Sequence, residues 1–222
     1  MLPDIVLTKP GIHVVRDAIK EGRKIFERTK NYAIYRISEN IRLIGLVAIM
    51  TLVLGGFPLT PIQLVLLAVL NDIPILMISI DRVKEPRNPA FFKRRPLFLL
   101  SSILGGVGVA TSLILYYLAA YKLNLPLPQI QTLFFLKLVL SGHFLLLCVR
   151  SKEQWYKHMP HPLLLTALLA TEIIGTLLAA FGIFMPVVHW SLLAFLWLYC
   201  SVWMQVVDLT KLIAIYKFGA NV

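Results

Sequence analysis

One stretch of the sequence, residues 64–83, places ionisable chemistry inside a membrane-length apolar run. It reads LVLLAVLNDIPILMISIDRV, with Asn71, Asp72 and Pro74 near its middle. An acid near the centre of a bilayer costs about 2.5–3.5 kcal/mol, and such acids usually mark a path for protons or ions. Pro74 lacks an N–H and clashes with the preceding turn, so we expect local unwinding of the helix and free carbonyl groups beside the site. The stretch therefore predicts a site that binds a proton or another cation.

Arg42 is the predicted partner of Asp72. Arg36, Glu39 and Arg42 lie at the start of the preceding apolar run, where Arg36 can extend its charge to the interface. At about 1.5 Å per residue, Arg42 lies roughly 10 Å deep, and Asp72 lies roughly 12 Å from the same membrane face. A nearby cation favours a charged carboxylate, whereas burial favours the protonated form, so movement of Arg42 could control proton release. The alternative is a structural pair that keeps two helices in register.

A second polar pair, Lys137 and Glu172, lies in two later apolar runs at depths that differ by only a few ångström on the scale of about 1.5 Å per residue. This matching depth predicts either a fixed ion pair or a contact with the transport path. His143 is interpreted as a packing residue, since no second His or Cys stands at metal-ligand spacing beside it. The apolar run at residues 60–80 holds a single carboxylate, that of Asp72, which disfavours calcium, since calcium needs about six to eight oxygen ligands. No metal site is predicted.

The composition predicts the elements that position these residues. Of 222 residues, 58% are apolar and 15% are charged, which is too apolar for an ordinary soluble domain. A spanning helix needs about 20 apolar residues. The sequence offers such runs at about residues 35–56, 60–80, 97–120, 129–149, 163–184 and 188–211. We therefore predict an all-α membrane protein with six transmembrane helices. The glycines in the third run, at positions 105, 106 and 108, predict close helix packing.

Residues 1–34 precede this membrane domain, which we assign to residues 35–222. Asp4 to Thr8 is a short β-like run. Apolar and small residues then recur at helical spacing and predict a cytoplasmic amphipathic stalk helix that continues into the first span. The alternative is an interfacial helix on anionic lipid. The residues of this predicted face are Val15, Ile19, Gly22, Phe26, Thr29 and Ala33.

The basic residues follow membrane topology. The formal net charge is +11, and almost all bases lie before the first run or in alternate connections. This pattern predicts that both termini are cytoplasmic and that the protein spans the cell membrane several times. It gives no reason to expect a nucleic-acid partner. No Walker loop, His-Glu-x-x-His motif or interpretable Ser-His-Asp set occurs in the sequence, so no catalytic residue is assigned.

Several stretches together resemble the P-type ATPases of the plasma-membrane proton-pump class, in their prokaryotic form. They are DIVLT with a following proline-glycine pair, DAIKEGRKIFERTKNYAIYRISENIRL, LLAVLNDIPILMISIDRV, and the Arg150-Ser151 and Trp155 positions after the fourth run. The resemblance covers essentially the whole chain. It implies the carboxyl-terminal membrane half of such a pump, the family's helices five to ten, with Asp4 to Thr8 as the tail of the phosphorylation domain.

The resemblance also implies roles for individual residues. Asp72, after Asn71, corresponds to the family's proton carrier, and Arg42 to an arginine that assists release in plant members. Ile73-Pro74 replaces the Gly-Thr of plant pumps, as in prokaryotic relatives, so details of the plant site need not apply.

The implied partner is the amino-terminal half, with its actuator, nucleotide-binding and phosphorylation domains. ATP and Mg would bind there, and no cofactor is expected in this chain, which by itself is not expected to hydrolyse ATP. The alternatives are a noncatalytic membrane subunit or remnant, and a stand-alone secondary transporter, which would usually show internal repeats that this sequence lacks.

Overall fold

The computed structural model describes residues 12–84 and 94–218, which form helices joined by short connections without a strand. The predicted all-α architecture is confirmed for these residues. The predicted strand at Asp4 to Thr8 and most of the proline-rich loop after Asp81 lie outside them. A 3₁₀ turn, Ile78–Ile80, extends the second helix, and a π-helical turn, Leu118–Lys122, extends the third. The long helices are α1 (Ile12–Leu54), α2 (Pro61–Met77), α3 (Arg94–Tyr117), α4 (Leu127–Val149), α5 (Pro162–Phe181) and α6 (Trp190–Phe218).

Five of these helices, α2 to α6, are long and apolar enough to cross a membrane. Their positions agree with the last five predicted runs to within a few residues, apart from α6, which extends further. The start of α2 is fixed by Thr60 and Gln63, because the side chain of each accepts a hydrogen bond from the backbone N–H of the other. That the second half of α1 also crosses the membrane stays a prediction.

Helix α4 is the centre of the bundle. In α4, 83% of the apolar membrane-length window is buried, compared with 39% or less in the other four candidate spans. The helices α1, α2, α5 and α6 pack around it. A polar side chain on α4 therefore has to find its hydrogen-bond partners on neighbouring helices.

Two glycines allow α3 to pack closely against α1. A Cβ atom at Gly105 would lie 2.8 Å from the Ile41 side chain and 3.0 Å from the carbonyl oxygen of Ser38. At Gly108 it would lie 2.6 Å from Cδ of Arg42, whereas at Gly106 it would meet nothing within 4 Å. The prediction that these glycines allow close helix packing therefore holds for Gly105 and Gly108. It fails for Gly106, which lies on the open side of α3.

The first part of α1 buries a different face from the predicted one. Val15 and Ile19 are exposed, whereas Glu27, Lys30 and Asn31 are buried. The reason is that α1 meets the end of α4 here: Asn31 donates to the carbonyl of Arg150 over 2.9 Å. Burial lowers the pKa of Lys30, partly offset by the carboxylate of Glu27, which Lys30 contacts at 2.8 Å.

An ion pair joins the connections at one end of the bundle, which we call the basic end and define by Arg28, Asp81, Arg150 and Lys211. Arg150 donates from Nε to Asp81 Oδ2 over 2.8 Å and from Nη2 to Oδ1 over 3.2 Å, and both side chains are about 2% exposed. Arg28 donates to the carbonyl of Asp81 over 2.9 Å. Lys211 donates to the Cys148 carbonyl and to Asp208, over 2.8 Å and 2.7 Å. The basic end thus links α1, α2, α4 and α6.

The α1–α3 contact predicts that Gly105→Ala destabilises the bundle by about 1–3 kcal/mol, because the backbone of Ser38 cannot move aside. Gly106→Ala is the matched control, and it should be neutral or slightly stabilising, since alanine favours a helix by about 1 kcal/mol. Unfolding by denaturing detergent, followed by tryptophan fluorescence, measures both variants. Equal stabilities would contradict the close contact.

The basic end predicts a large loss from Arg150→Gln, because Asp81 would keep a buried charge without its partner. Removing one member of a buried pair typically destabilises by about 3–5 kcal/mol. Lys84→Gln is the control, since Lys84 pairs with Glu153 at 2.8 Å on the exposed surface and such pairs contribute about 0–1 kcal/mol. The same unfolding assay applies, and a loss no larger than that of Lys84→Gln would refute a stabilising role for the buried pair.

Candidate functional site

A group of buried polar side chains lies in the interior of the bundle, which also holds two apolar clusters. One cluster includes Leu46, Leu67 and Leu115, and the other, toward the basic end, includes Tyr35 and Leu104. In such surroundings an unpaired polar group is costly, so each member needs a partner within the bundle. We call the following six residues, none more than 6% exposed, the polar layer: Glu39, Arg42, Asn71, Lys137, His143 and Glu172.

Arg42 is fixed to α4. Its Nη1 donates to Oγ of Ser141 over 2.7 Å, and its Nη2 donates to the carbonyl of Leu138 over 3.2 Å. Nη2 also lies 4.0 Å from Oε1 of Glu39. A Cβ atom at Gly142 would lie 3.0 Å from the same Nη2. The guanidinium therefore occupies a defined position that depends on a glycine opposite it.

Asp72 does not contact Arg42, and the predicted pair between them is wrong. Asp72 pairs instead with Arg36, whose Nη2 lies 3.3 Å from Oδ1, and 53% of the Asp72 side chain is exposed. The reason is helical phase. Asn71 and Pro74 face the bundle interior, and Asp72, about 100° further around α2 than Asn71, points outward. Matching depth placed Asp72 and Arg42 at similar heights but said nothing about direction.

Glu39 is a buried acid beside Asn71 and Arg36 for which the sequence pattern indicated no role. Asn71 donates from Nδ2 to Oε1 of Glu39 over 2.5 Å. Arg36 donates from Nη1 to Oε2 over 3.4 Å. The available signal was the spacing of Arg36, Glu39 and Arg42, which at three-residue intervals places a carboxylate between two cations along one helix. The predicted residue Asn71 thus contacts Glu39 rather than presenting a ligand beside Asp72.

Pro74 does not unwind α2, contrary to the prediction. The helix runs through Pro74 to Met77, and the 3₁₀ turn begins only at Ile78. Proline is tolerated in apolar helices where neighbouring helices support both sides, and here α4 and α5 pack against α2. The side chain of Pro74 is buried and belongs to the interior face of the helix.

Lys137 and Glu172 do not pair, so the second predicted pair is also wrong. Lys137 donates to the Gly108 carbonyl over 3.0 Å and to Oγ of Ser112 over 2.6 Å, both on α3. Glu172 lies beside His143, with 3.5 Å between Oε1 and Nδ1. Lys137 and His143 are six residues apart on α4, which places them about 120° apart around that helix. Each therefore faces a different neighbour.

The layer is suited to holding charge and protons rather than to enclosing a metal. Within residues 12–84 and 94–218, no group of three or more His, Cys, Asp and Glu side chains could hold a metal ion. The carboxyl groups of Glu39 and Asp72 face guanidinium groups, and that of Glu172 faces an imidazole. Of the three, Asp72 has the most exposed side chain, at 53%.

Comparison with known proteins finds a curated protein that is similar to nearly the whole of this chain. No protein-family model matches the chain. A Methanocaldococcus jannaschii protein named "Putative cation-transporting ATPase MJ1226" is 45% identical over 215 residues, which is 96% of this chain and 27% of that protein. The chain thus spans about a quarter of the length of this curated relative. Over nearly its whole length, this multi-pass membrane chain is similar to one part of a longer cation-transporting ATPase.

Proposed function

We propose that this chain forms the ion-carrying membrane part of a P-type cation pump of the proton-pump class, with Asp72 as the proton carrier. The observation that supports this most directly is the exposure of 53% of the Asp72 side chain in the middle of an apolar helix. A carboxylate that faces lipid is unfavourable, so another part of the pump should cover this face of α2. The relative, of which the chain matches 27%, has ample length for such a part.

Arg36 would stabilise the carboxylate of Asp72 when it has lost its proton and move away when it is protonated. While the carboxylate is charged, Arg36 stabilises it at 3.3 Å. A proton taken up from water removes that attraction, and withdrawal of Arg36 would favour the protonated form. Because α1 is one continuous helix, Ile12–Leu54, movement of its first turns can change the position of Arg36. Arg42, held by Ser141 and Leu138, would act as a fixed positive charge rather than as the mobile one.

A proton suits this site better than a metal cation does. Arg42 lies buried within the layer, and its permanent positive charge would repel a metal cation. A metal ion such as calcium would also need about six to eight oxygen ligands. A proton needs only one carboxyl group and a route for water.

The remaining partners follow from the P-type assignment. An amino-terminal half would supply the actuator, nucleotide-binding and phosphorylation domains, and ATP with Mg would bind there. The pump would lie in the cell membrane with the basic end toward the cytoplasm, as the positive-inside rule requires. Both termini would then be cytoplasmic. The second half of α1 would be the first of six spans, followed by α2 to α6.

The carrier assignment predicts that Asp72→Asn abolishes ATP-driven proton transport in the assembled pump, because the amide cannot take up and release a proton. Asp17→Asn is the control, since the Asp17 side chain is 62% exposed on the first turns of α1 and pairs with its neighbour Arg16 at 3.6 Å. A pH-sensitive dye inside sealed vesicles measures transport. Normal acidification by Asp72→Asn would disprove the carrier role.

The fixed position of Arg42 predicts an effect of Gly142→Ala that removes no ionisable group. The new Cβ would lie 3.0 Å from Nη2 of Arg42, and displacement of the guanidinium should lower the transport rate at least several-fold. Gly175→Ala is the matched control, because its Cβ would meet only apolar atoms of Leu70, Val139 and Leu136 at 3.5–3.7 Å. Vesicle acidification compares the two, and equal rates would show that the placement of Arg42 is unimportant.

A further inference from the structure

One guanidinium, that of Arg36, lies between two carboxyl groups on different helices. Its Nη1 lies 3.4 Å from Oε2 of Glu39, and its Nη2 lies 3.3 Å from Oδ1 of Asp72. Charge-assisted N–H···O bonds are usually about 2.7–2.9 Å long. Arg36 is therefore at an intermediate position with respect to both acids, and a small movement would shorten one contact and lengthen the other.

The two acids differ in their surroundings. The Glu39 side chain is 8% exposed, whereas that of Asp72 is 53% exposed and that of Arg36 is 40% exposed. Glu39 is also held by Asn71 at 2.5 Å and lies 4.0 Å from Arg42. Glu39 is thus the fixed buried anion, Asp72 is the accessible one, and the partly exposed Arg36 is the group with freedom to move.

The charged and titratable groups around this triad come from three helices. On α1, Tyr35 and Arg42 lie beside Glu39, and Tyr32 lies near Arg36. On α4, Lys137 is close enough to Arg42 to interact with it electrostatically. On α2, the neighbouring polar group is the uncharged amide of Asn71. The closest charged partner that Glu39 and Asp72 have in common is Arg36.

We propose that Arg36 is a shared counter-ion that couples the two carboxyl groups, so that protonation of Asp72 moves the guanidinium toward Glu39 and deprotonation moves it back. Glu39 is a positioning residue in this scheme: it stays charged and retains Arg36 while Asp72 carries the proton. The only bond formed or broken is the O–H bond of Asp72, with water as the source and acceptor of the proton. The coupling deepens the proposed function, on which its importance for transport rests.

The test is a pH titration of the purified chain in lipid nanodiscs. Infrared difference spectroscopy follows the band of protonated carboxyl groups, and its loss in Asp72→Asn assigns the Asp72 component. In Glu39→Gln, Arg36 should pair with Asp72 alone, and a neighbouring negative charge disappears. Both effects favour the charged form of Asp72, so its titration midpoint should fall by about one pH unit. Glu172→Gln, which removes a buried acid beside His143, is the control and should leave the midpoint unchanged.

Arg36→Gln separates a shared counter-ion from direct repulsion between the acids. Alone, this variant should raise the Asp72 midpoint, because the stabilising cation is lost. In that background, Glu39→Gln should have little further effect if the coupling runs through Arg36. An unchanged midpoint in Glu39→Gln, or a full shift that persists without Arg36, would overturn the proposal.

This experiment is independent of transport. If the midpoints shift as expected while the assembled Asp72→Asn pump still moves protons, the coupling stands and the carrier role of Asp72 fails. If Asp72→Asn abolishes transport but Glu39→Gln leaves the titration unchanged, the carrier role stands and the coupling fails. Circular dichroism and gel filtration of each variant establish that it is folded before the titration is interpreted.

Discussion

The polar layer depends on one constraint: ionisable groups inside an apolar bundle must satisfy each other, because neither water nor lipid can do so. Two apolar clusters fill the rest of the bundle interior. Arg42 donates hydrogen bonds to a hydroxyl and a carbonyl of α4. Lys137 donates to a carbonyl and a hydroxyl of α3. The close approach of helices at Gly105, Gly108 and Gly142 is what brings these short side-chain contacts within reach.

The layer has a rigid part and an adjustable part. Arg42 and Lys137 make contacts as short as 2.7 Å and 2.6 Å, and both are almost fully buried. Arg36 instead holds two acids at 3.3 Å and 3.4 Å and is 40% exposed. The guanidinium of Arg42 is the fixed positive charge, and the outer guanidinium of Arg36 is the one in contact with Asp72. A proton carrier needs this combination, because its surroundings have to differ between uptake and release.

The sequence was sufficient to predict the positions of the helices but not which charged side chains pair with each other. Apolar run lengths located α2 to α6, whereas matching depth along the runs led to two predicted pairs, Arg42 with Asp72 and Lys137 with Glu172, that the structure does not contain. Pairing also depends on direction around the helix axis, and one residue changes that direction by about 100°. Asn71 therefore faces Glu39 while Asp72 faces outward. The three-residue spacing of Arg36, Glu39 and Arg42 could have indicated the buried acid, but the orientation of α1 relative to α2 arises from packing that no single segment encodes.

Contacts at the basic end bear on how a movement of α1 could change the position of Arg36 in relation to Asp72. Arg28 holds the carbonyl of Asp81 at 2.9 Å, and Arg36, eight residues further along α1, holds Asp72. These two contacts tie the same pair of helices at points about 12 Å apart along α1. Since Asp81 is itself fixed by the buried pair with Arg150, we expect the contact near Arg28 to act as a pivot. A displacement of the first turns of α1 about that pivot would shift Arg36 relative to Asp72, while Arg42, anchored to α4, would resist the motion. The structure thus places the partly exposed Arg36 beside Asp72, between the Arg28 contact and the anchored Arg42 along α1.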